Sequence, residues 1–331
     1  MSPRTQVPPV RLARLRVALA GIGPEEADFA RRGFSLVAGP RARLETVGHA
    51  FVYGYRAALA DDDPGALECT LAAVDQELRG FGYEGAAMGV MLRDLLAPWR
   101  RPRLDRLLAG PGAPHLYMVH VGAGWAFARL RRRPRAVQRL DPLLRWLALD
   151  GYGFHQGYFQ PARYVGAGTR PRNFVGYAAR AFDQGLGRSL WFVAAAQPHP
   201  IADAIARFDV QRRPDLWSGV ALAATYAGAA EPETLRRLAV AGAGHSEHLA
   251  QGAPFAAAAR ETAANPAAHT ELACRMLAGV TARDAAALVD HALRDLPPDS
   301  DEPAYEVWRR RVRIAFAGAE RGCRATRGEA L

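Results

Sequence analysis

The stretch GYGFHQGYFQP, residues 151–161, sets three glycines among four aromatic rings, a histidine and two glutamines. Two readings compete. One is a site that gathers polar groups; the other is one copy of a structural unit that needs small residues where helices cross. Related stretches elsewhere favour repetition: FGYEGAAMG, MVHVGAGWAFA, AFDQGLGRS, DLWSGVALAA and HLAQGAPFAAAA each set a glycine after a short aromatic or polar lead. Taking Gly85, Gly122, Gly157, Gly185, Gly219 and Gly252 as equivalent gives intervals of 37, 35, 28, 34 and 33 residues, with GHAFVYGYRAAL at Gly48 as an earlier copy.

A period near 35 accommodates two helices and their turns. Apolar residues recur at helical spacing in 66–78, 140–149 and 283–296, and no alternating strand pattern appears. DDDPGALE (61–68), PHPIADAIARF (198–208), EPETLRRLAV (231–240) and TARDAAALVDHAL (281–293) read as helix starts, with acids and proline near the positive end of the dipole. The expected fold is all-α: stacked helical hairpins, solenoid-like, resembling tetratricopeptide repeats. Glycine inside a helix costs about 1 kcal/mol against alanine, so its recurrence argues for close helix crossings.

The short interval before Gly185 contains QPARYVGAGTRPRNF, which reads as a loop. The layout expected is an N-terminal extension (1–40), N-terminal repeats (41–160), a loop breaking the array (161–175), C-terminal repeats (176–296) and a capping helix with its tail (297–331).

Composition narrows the function classes. The 331 residues are 50% hydrophobic and 23% charged, as in an ordered chain. All 43 basic residues are arginine, against 33 acids, a net charge of +10. With no lysine there is neither a Walker lysine nor a Schiff base for pyridoxal phosphate. No GxSxG elbow appears, and no GxGxxG joins a strand to a helix. The arginine runs ARLRRRPR (128–135) and WRRRVR (308–313) read as solvated faces or turns, with docking to an acidic partner as the alternative. No motif points to nucleic acid.

Cys69, Cys274 and Cys323 have no paired spacing, so a disulfide framework and a zinc ribbon are both unsupported. Arginines at 11, 14 and 16 interrupt the apolar start of the chain, and no apolar run is long enough to span a bilayer. A cytoplasmic location is expected, with contact to a membrane partner left open.

If the repeats are equivalent, the residues before each glycine occupy matching positions on successive helices: Glu84, Val121, Gln156, Gln184, Ser218 and Gln251, preceded by Tyr83, His120, His155, Asp183, Trp217 and Ala250. They form either one wall of a small-molecule site or a buried network that satisfies helix ends. In the first case His155 and Asp183 are the proton-handling pair, while Glu84, His120, Gln156, Gln184, Arg188, Trp191 and Trp217 contact substrate. No ligand spacing suggests a metal, and no cofactor is identifiable.

The ordered set RRGF (31–34), GFGYEGAAMG (80–89), HVGAGWAFARL (120–130), DGYGFHQGYF (150–159), FDQGLGRSLWF (182–192), DLWSGVALAATYAG (215–228), LAQGAPFAAAAR (249–260) and YEVWRRRVR (305–313) resembles the UnbL-type family that accompanies enediyne polyketide synthases. The resemblance spans roughly residues 10–315. It implies a part in converting the synthase's linear polyene into the enediyne core, beside other cassette proteins, one of them in the membrane. It supplies no catalytic residues. The expectation is an accessory biosynthetic protein, enzyme or not, holding a conjugated chain between helices; the alternative is a noncatalytic scaffold for the synthase and its membrane partner. With no redox motif in view, electrons come through a partner or an unrecognised cofactor.

Overall fold

The computed structural model describes residues 16–328 apart from 19, 62, 98, 100 and 101, with side chains as far as residue 316. Of the expected N-terminal extension, residues 1–15 therefore lie outside the described residues. The described chain is all helical and contains no strand. Its helices follow the hairpin plan. α1 (Ala38–Ala60) pairs with α2 (Pro64–Ala72), and α3 (Arg79–Leu96) with α4 (Arg103–Ala109). α5 (Leu116–Arg129) and α6 (Arg145–Phe159) follow without helical partners. Then come α7 (Tyr177–Val193) with α8 (Pro198–Ala206), α9 (Arg213–Ala227) with α10 (Pro232–Ala241), α11 (Ser246–Thr262) with α12 (Ala268–Leu277), and α13 (Ala282–Ala292) with α14 (Ala304–Gly328).

The four start signals all begin helices, at Pro64, Pro198, Pro232 and Ala282. At the first, Asp63 caps by accepting from the backbone N–H groups of Gly65 and Ala66. At the last, the Thr281 side chain accepts from the backbone N–H of Asp284.

Glycine sets the stacking order. A methyl group on Gly122 would overlap the carbonyl oxygen of Glu84; on Gly151, that of Val121; on Gly185, that of Asp150; on Gly219, that of Gln184; on Gly252, that of Ser218. Each acceptor is the residue immediately before the crossing glycine of the preceding long helix. A second glycine two residues on faces the next helix: Gly124 lies against the Ala148 carbonyl, Gly153 against Phe182 and Gly187 against Leu216. On α5, α6 and α7 the unit is thus a G-x-G pair, one glycine for each neighbour in the row, while α3, α9 and α11 keep only the first glycine, at Gly85, Gly219 and Gly252.

This register corrects the sequence reading at two places. The crossing glycine of α6 is Gly151, not Gly157, although Gly157 also lies close to α7, against Ser189 and Leu186. In α1 the matching position is near Val52, with Gly54 against Gly82; Gly48 instead faces Ala27. The intervals become 37, 29, 34, 34 and 33 from Gly85 onward. The missing residues fall between α5 and α6, where a 3₁₀ turn (Pro134–Arg139) replaces the second helix. Residues 160–176 likewise carry only a π-helical turn (Ala162–Gly166), yet α6 and α7 pack directly through Gly153 and Gly185, so the row continues across the loop.

The row curls until its ends meet. Arg43 donates to the Ala227 carbonyl at 3.1 Å, Gln76 to Ala264 at 2.8 Å, and Arg260 to Glu77 at 3.2 Å. The Phe81 ring sits edge-on to Tyr226 with centroids 5.0 Å apart. Curling encloses the wall that the row presents inward. Polar side chains on that wall therefore face one another across an aromatic interior, with little solvent between them.

Candidate functional site

The inward positions before the crossing glycines place Glu84 on α3, Asp150 on α6 and Gln184 on α7, and Arg188 follows one turn after Gln184. All four are 1–3% exposed. Arg188 donates to Asp150 at 2.6 Å, and Gln184 Nε2 donates to the other oxygen of the same carboxylate at 2.9 Å. Glu84 is less well served: the Arg188 guanidinium is 4.0 Å away, and the Trp125 indole N–H donates to it at 3.1 Å. One guanidinium thus faces two carboxylates, and it is bonded to Asp150.

The electrostatic consequence falls on Glu84. Burial lifts its pKa from an ordinary 4.5 to about 7; Arg188 opposes the rise, Asp150 adds to it, and the Trp125 hydrogen bond again opposes it. A carboxyl near 7 exchanges its proton at neutral pH, which a general acid or base requires.

Glu84 and its neighbours separate two apolar cavities. The first is enclosed by Phe51, Phe81, Trp125, Phe154, Tyr158 and Phe192, with Glu84 in its wall. The second is enclosed by Tyr117, Leu147, Tyr226, Phe255, Tyr305 and Trp308, with Asp150 and Arg188 in its wall. Phe154 of the first cavity lies under the Arg188 guanidinium, 4.8 Å from ring centroid to Cζ. The cavities hold about 30 and 40 Å³, room for two or three waters each. At the partition, the Arg188 Nε is buried without a hydrogen-bond partner.

Several expected site residues sit elsewhere. Asp183 is bound by Arg170 at 2.9 Å and by both ends of Arg212 at 2.6 and 3.0 Å, not by His155. Arg212 also donates to the Gly168 carbonyl, so Asp183 ties the 160–176 loop to α7. Burial raises the Asp183 pKa and outweighs the lowering by Arg212 and Arg170. His155 lies between the rings of Trp125 and Phe159, its Nδ1 unpartnered. Burial first, then Arg129, drive its pKa down to about 3, so it is a neutral imidazole at physiological pH. The expected His155–Asp183 pair does not form. Taking Gly157 as the crossing point put His155 and Gln156 where Leu149 and Asp150 belong.

Gln156 accepts from Gln160 just past the end of its own helix, and His120 Nδ1 is 2.8 Å from the Leu116 carbonyl. Trp191 is fully buried and donates to the Gly228 carbonyl at 2.9 Å, while Trp217 packs near Gly242; neither lines either cavity. Asp150 is the residue the sequence reading missed. The signal was present in the G-x-G spacing of GAG (122–124), GYG (151–153) and GLG (185–187).

A second buried ion cluster fixes α14. Arg309 is 0% exposed and donates to Asp215 at 2.8 Å and to Glu306 at 3.3 Å. Arg180 bridges the same two carboxylates, and Arg313 donates to Glu306 at 2.6 Å and to Gln251 at 2.9 Å. Burial raises the pKa of Asp215 and Glu306, but the arginines more than reverse it, leaving both below the ordinary carboxylate range. The 308–313 run is therefore not a solvated face at Arg309 or Arg313: the helix turns these two arginines inward, onto Asp215 of α9, Glu306 of α14 itself and the Gln251 amide of α11.

Among the described residues no group of histidine, cysteine and acidic side chains could hold a metal ion, and no helix is long and apolar enough to cross a membrane. Fold and site together define a closed row of glycine-locked helices with a charged partition between two apolar chambers. The chain belongs to the DUF1702 family of proteins of unknown function, whose model matches residues 11–316. No curated protein and no solved structure matches it.

Proposed function

We propose that the protein is an accessory biosynthetic factor that encloses a linear, conjugated hydrocarbon chain in its paired chambers, with Glu84 as the proton-exchanging group. The observation that carries this reading is a buried carboxyl, Glu84, in the wall of one aromatic-lined cavity and 4.0 Å from the arginine that lines a second, where burial raises its pKa to about 7. The resemblance to proteins encoded beside enediyne synthases supplies the substrate class, a polyene undergoing conversion to the enediyne core. Gln184 holds Asp150, Asp150 holds Arg188, and Arg188 meets charge that develops beside Glu84. Cavities of 30 and 40 Å³ admit a carbon chain only after the partition side chains swing apart, so loading selects a more open state.

The scaffold reading rests on a different observation. Leu96 and Trp99, 58% and 78% exposed after α3, offer an apolar contact to a partner of the cassette.

One experiment separates the two. The protein is purified from cells carrying the whole cassette and extracted with organic solvent. Chain enclosure predicts structured polyene absorption in the extract, and loss of product when Glu84→Gln replaces the wild type at equal protein level. A colourless extract with undiminished product from Glu84→Gln removes the enzyme-like reading and leaves the scaffold.

A further inference from the structure

The gap left by the missing helix between α5 and α6 opens a surface groove of about 880 Å³, within the range of ligand sites. Its floor is apolar: Met91 from α3, Leu104 from α4, and Phe127 and Leu130 at the end of α5. Its rim is cationic, with Arg131, Arg132, Arg133, Arg135 and Arg139 all lining it. None of these five guanidiniums has a hydrogen bond or ion pair among the described residues. These five arginines are exposed, whereas the buried Arg188 and Arg309 are both held by carboxylates. Two acids also line the groove. Asp94 is engaged by the side chain and backbone of Arg103, which leaves Asp105 against five arginines.

Five unpaired guanidiniums above an apolar floor match a ligand with an acidic head and an apolar body. Guanidinium forks bind phosphate and carboxylate oxygens in pairs, and the floor shields methylenes from water. The chain's own N-terminal segment fits poorly by charge, since residues 1–15 hold three arginines and no acid. We propose that this groove binds an anionic amphiphile, a phosphate or carboxylate on a hydrocarbon chain, as a site separate from the two chambers.

The test uses the purified full chain and octyl phosphate below its micellar concentration, measured by calorimetry. Octyl glucoside reports the chain without charge, inorganic phosphate reports the head alone, and phosphatidylcholine vesicles containing phosphatidic acid report a lipid surface. Expected is saturable binding of octyl phosphate, weaker as salt rises. Affinity falls at least about tenfold in Arg132→Glu/Arg135→Glu, through loss of charge-assisted hydrogen bonds, and is unchanged in Arg236→Glu on α10. Leu130→Gln, which makes the floor polar without adding charge among the arginines, weakens octyl phosphate while leaving inorganic phosphate as weak as before. Circular dichroism confirms that each variant is folded. Any of three results overturns the proposal: no binding of octyl phosphate, equal binding of octyl glucoside, or equal binding by the Arg132→Glu/Arg135→Glu variant. Attachment to vesicles without binding of monomeric octyl phosphate also overturns it, because that describes a membrane-facing patch and not a ligand groove.

Discussion

Two buried ion clusters use the same chemistry to opposite ends. At the partition, two carboxylates share one guanidinium, and Glu84 is pushed up to about 7. At the foot of α14, three guanidiniums serve two carboxylates, and Asp215 and Glu306 are held below their ordinary range. The four carboxylates are all 1–4% exposed, so their own burial does not separate the clusters. The ratio of arginines to acids does. An excess of cations locks carboxylates as fixed anions that staple helices, whereas a deficit leaves one acid with a proton it can release near neutrality.

The sharpest way to break the contrast is Arg309→Met. It removes the one fully buried cation of the cluster, leaving Asp215 to Arg180 and Glu306 to Arg180 and Arg313, and chemical denaturation should show a loss of about 3–5 kcal/mol. A loss below about 1 kcal/mol means the cluster does not hold α14. Next comes the crossing that sets the partition in place. Gly185→Ala drives a methyl group into the Asp150 carbonyl, so stability should fall by about 3 kcal/mol, and the Glu84 titration should change with it.

The third prediction concerns pH. Glu84 rises from 4.5 to about 7 on folding, so its contribution is complete below pH 4.5 and is lost as pH climbs to about 7. At 1.36 kcal/mol per pH unit this amounts to roughly 3 kcal/mol. Glu84→Gln should remove that decline, making the variant relatively more stable at pH 8 than at pH 4.5. Glu306 has the opposite sign: its lowered pKa stabilises above the ordinary carboxylate range and is lost in acid. Stability curves of the two Gln variants should therefore diverge from wild type at opposite ends of the pH scale. The smallest effect is a control. A methyl group on Gly39, near the start of α1, meets nothing, so Gly39→Ala should leave stability unchanged or raise it by about 0.5 kcal/mol.

How these features read from sequence follows from which of them are local. Helix starts such as Asp63–Pro64 and Thr281–Ala282 depend on a few adjacent residues, and they were legible. The repeat was legible too, because each crossing needs glycine and each glycine leaves a mark. Register was harder. α6 carries three glycines, all used, and choosing Gly157 over Gly151 shifted attention from Asp150 to Gln156. Glu84, Gln184 and Arg188 were found because the glycines chosen on their helices, Gly85 and Gly185, are the crossing glycines. The α14 staple was not legible: WRRRVR resembles a solvated run, and only the packing of α14 shows that Arg309 meets Asp215, 94 residues earlier. Which of two carboxylates receives the single arginine is likewise a property of the folded interior.

The most direct measurement is the titration of Glu84 itself, by infrared difference spectroscopy of the carboxyl stretch with Glu84→Gln as the reference. The arginine-deficient partition predicts a protonated carboxyl that titrates near pH 7 in the wild type and is absent from the variant. A wild-type spectrum in which every carboxyl ionises below pH 5, indistinguishable from that of Glu84→Gln, would contradict it.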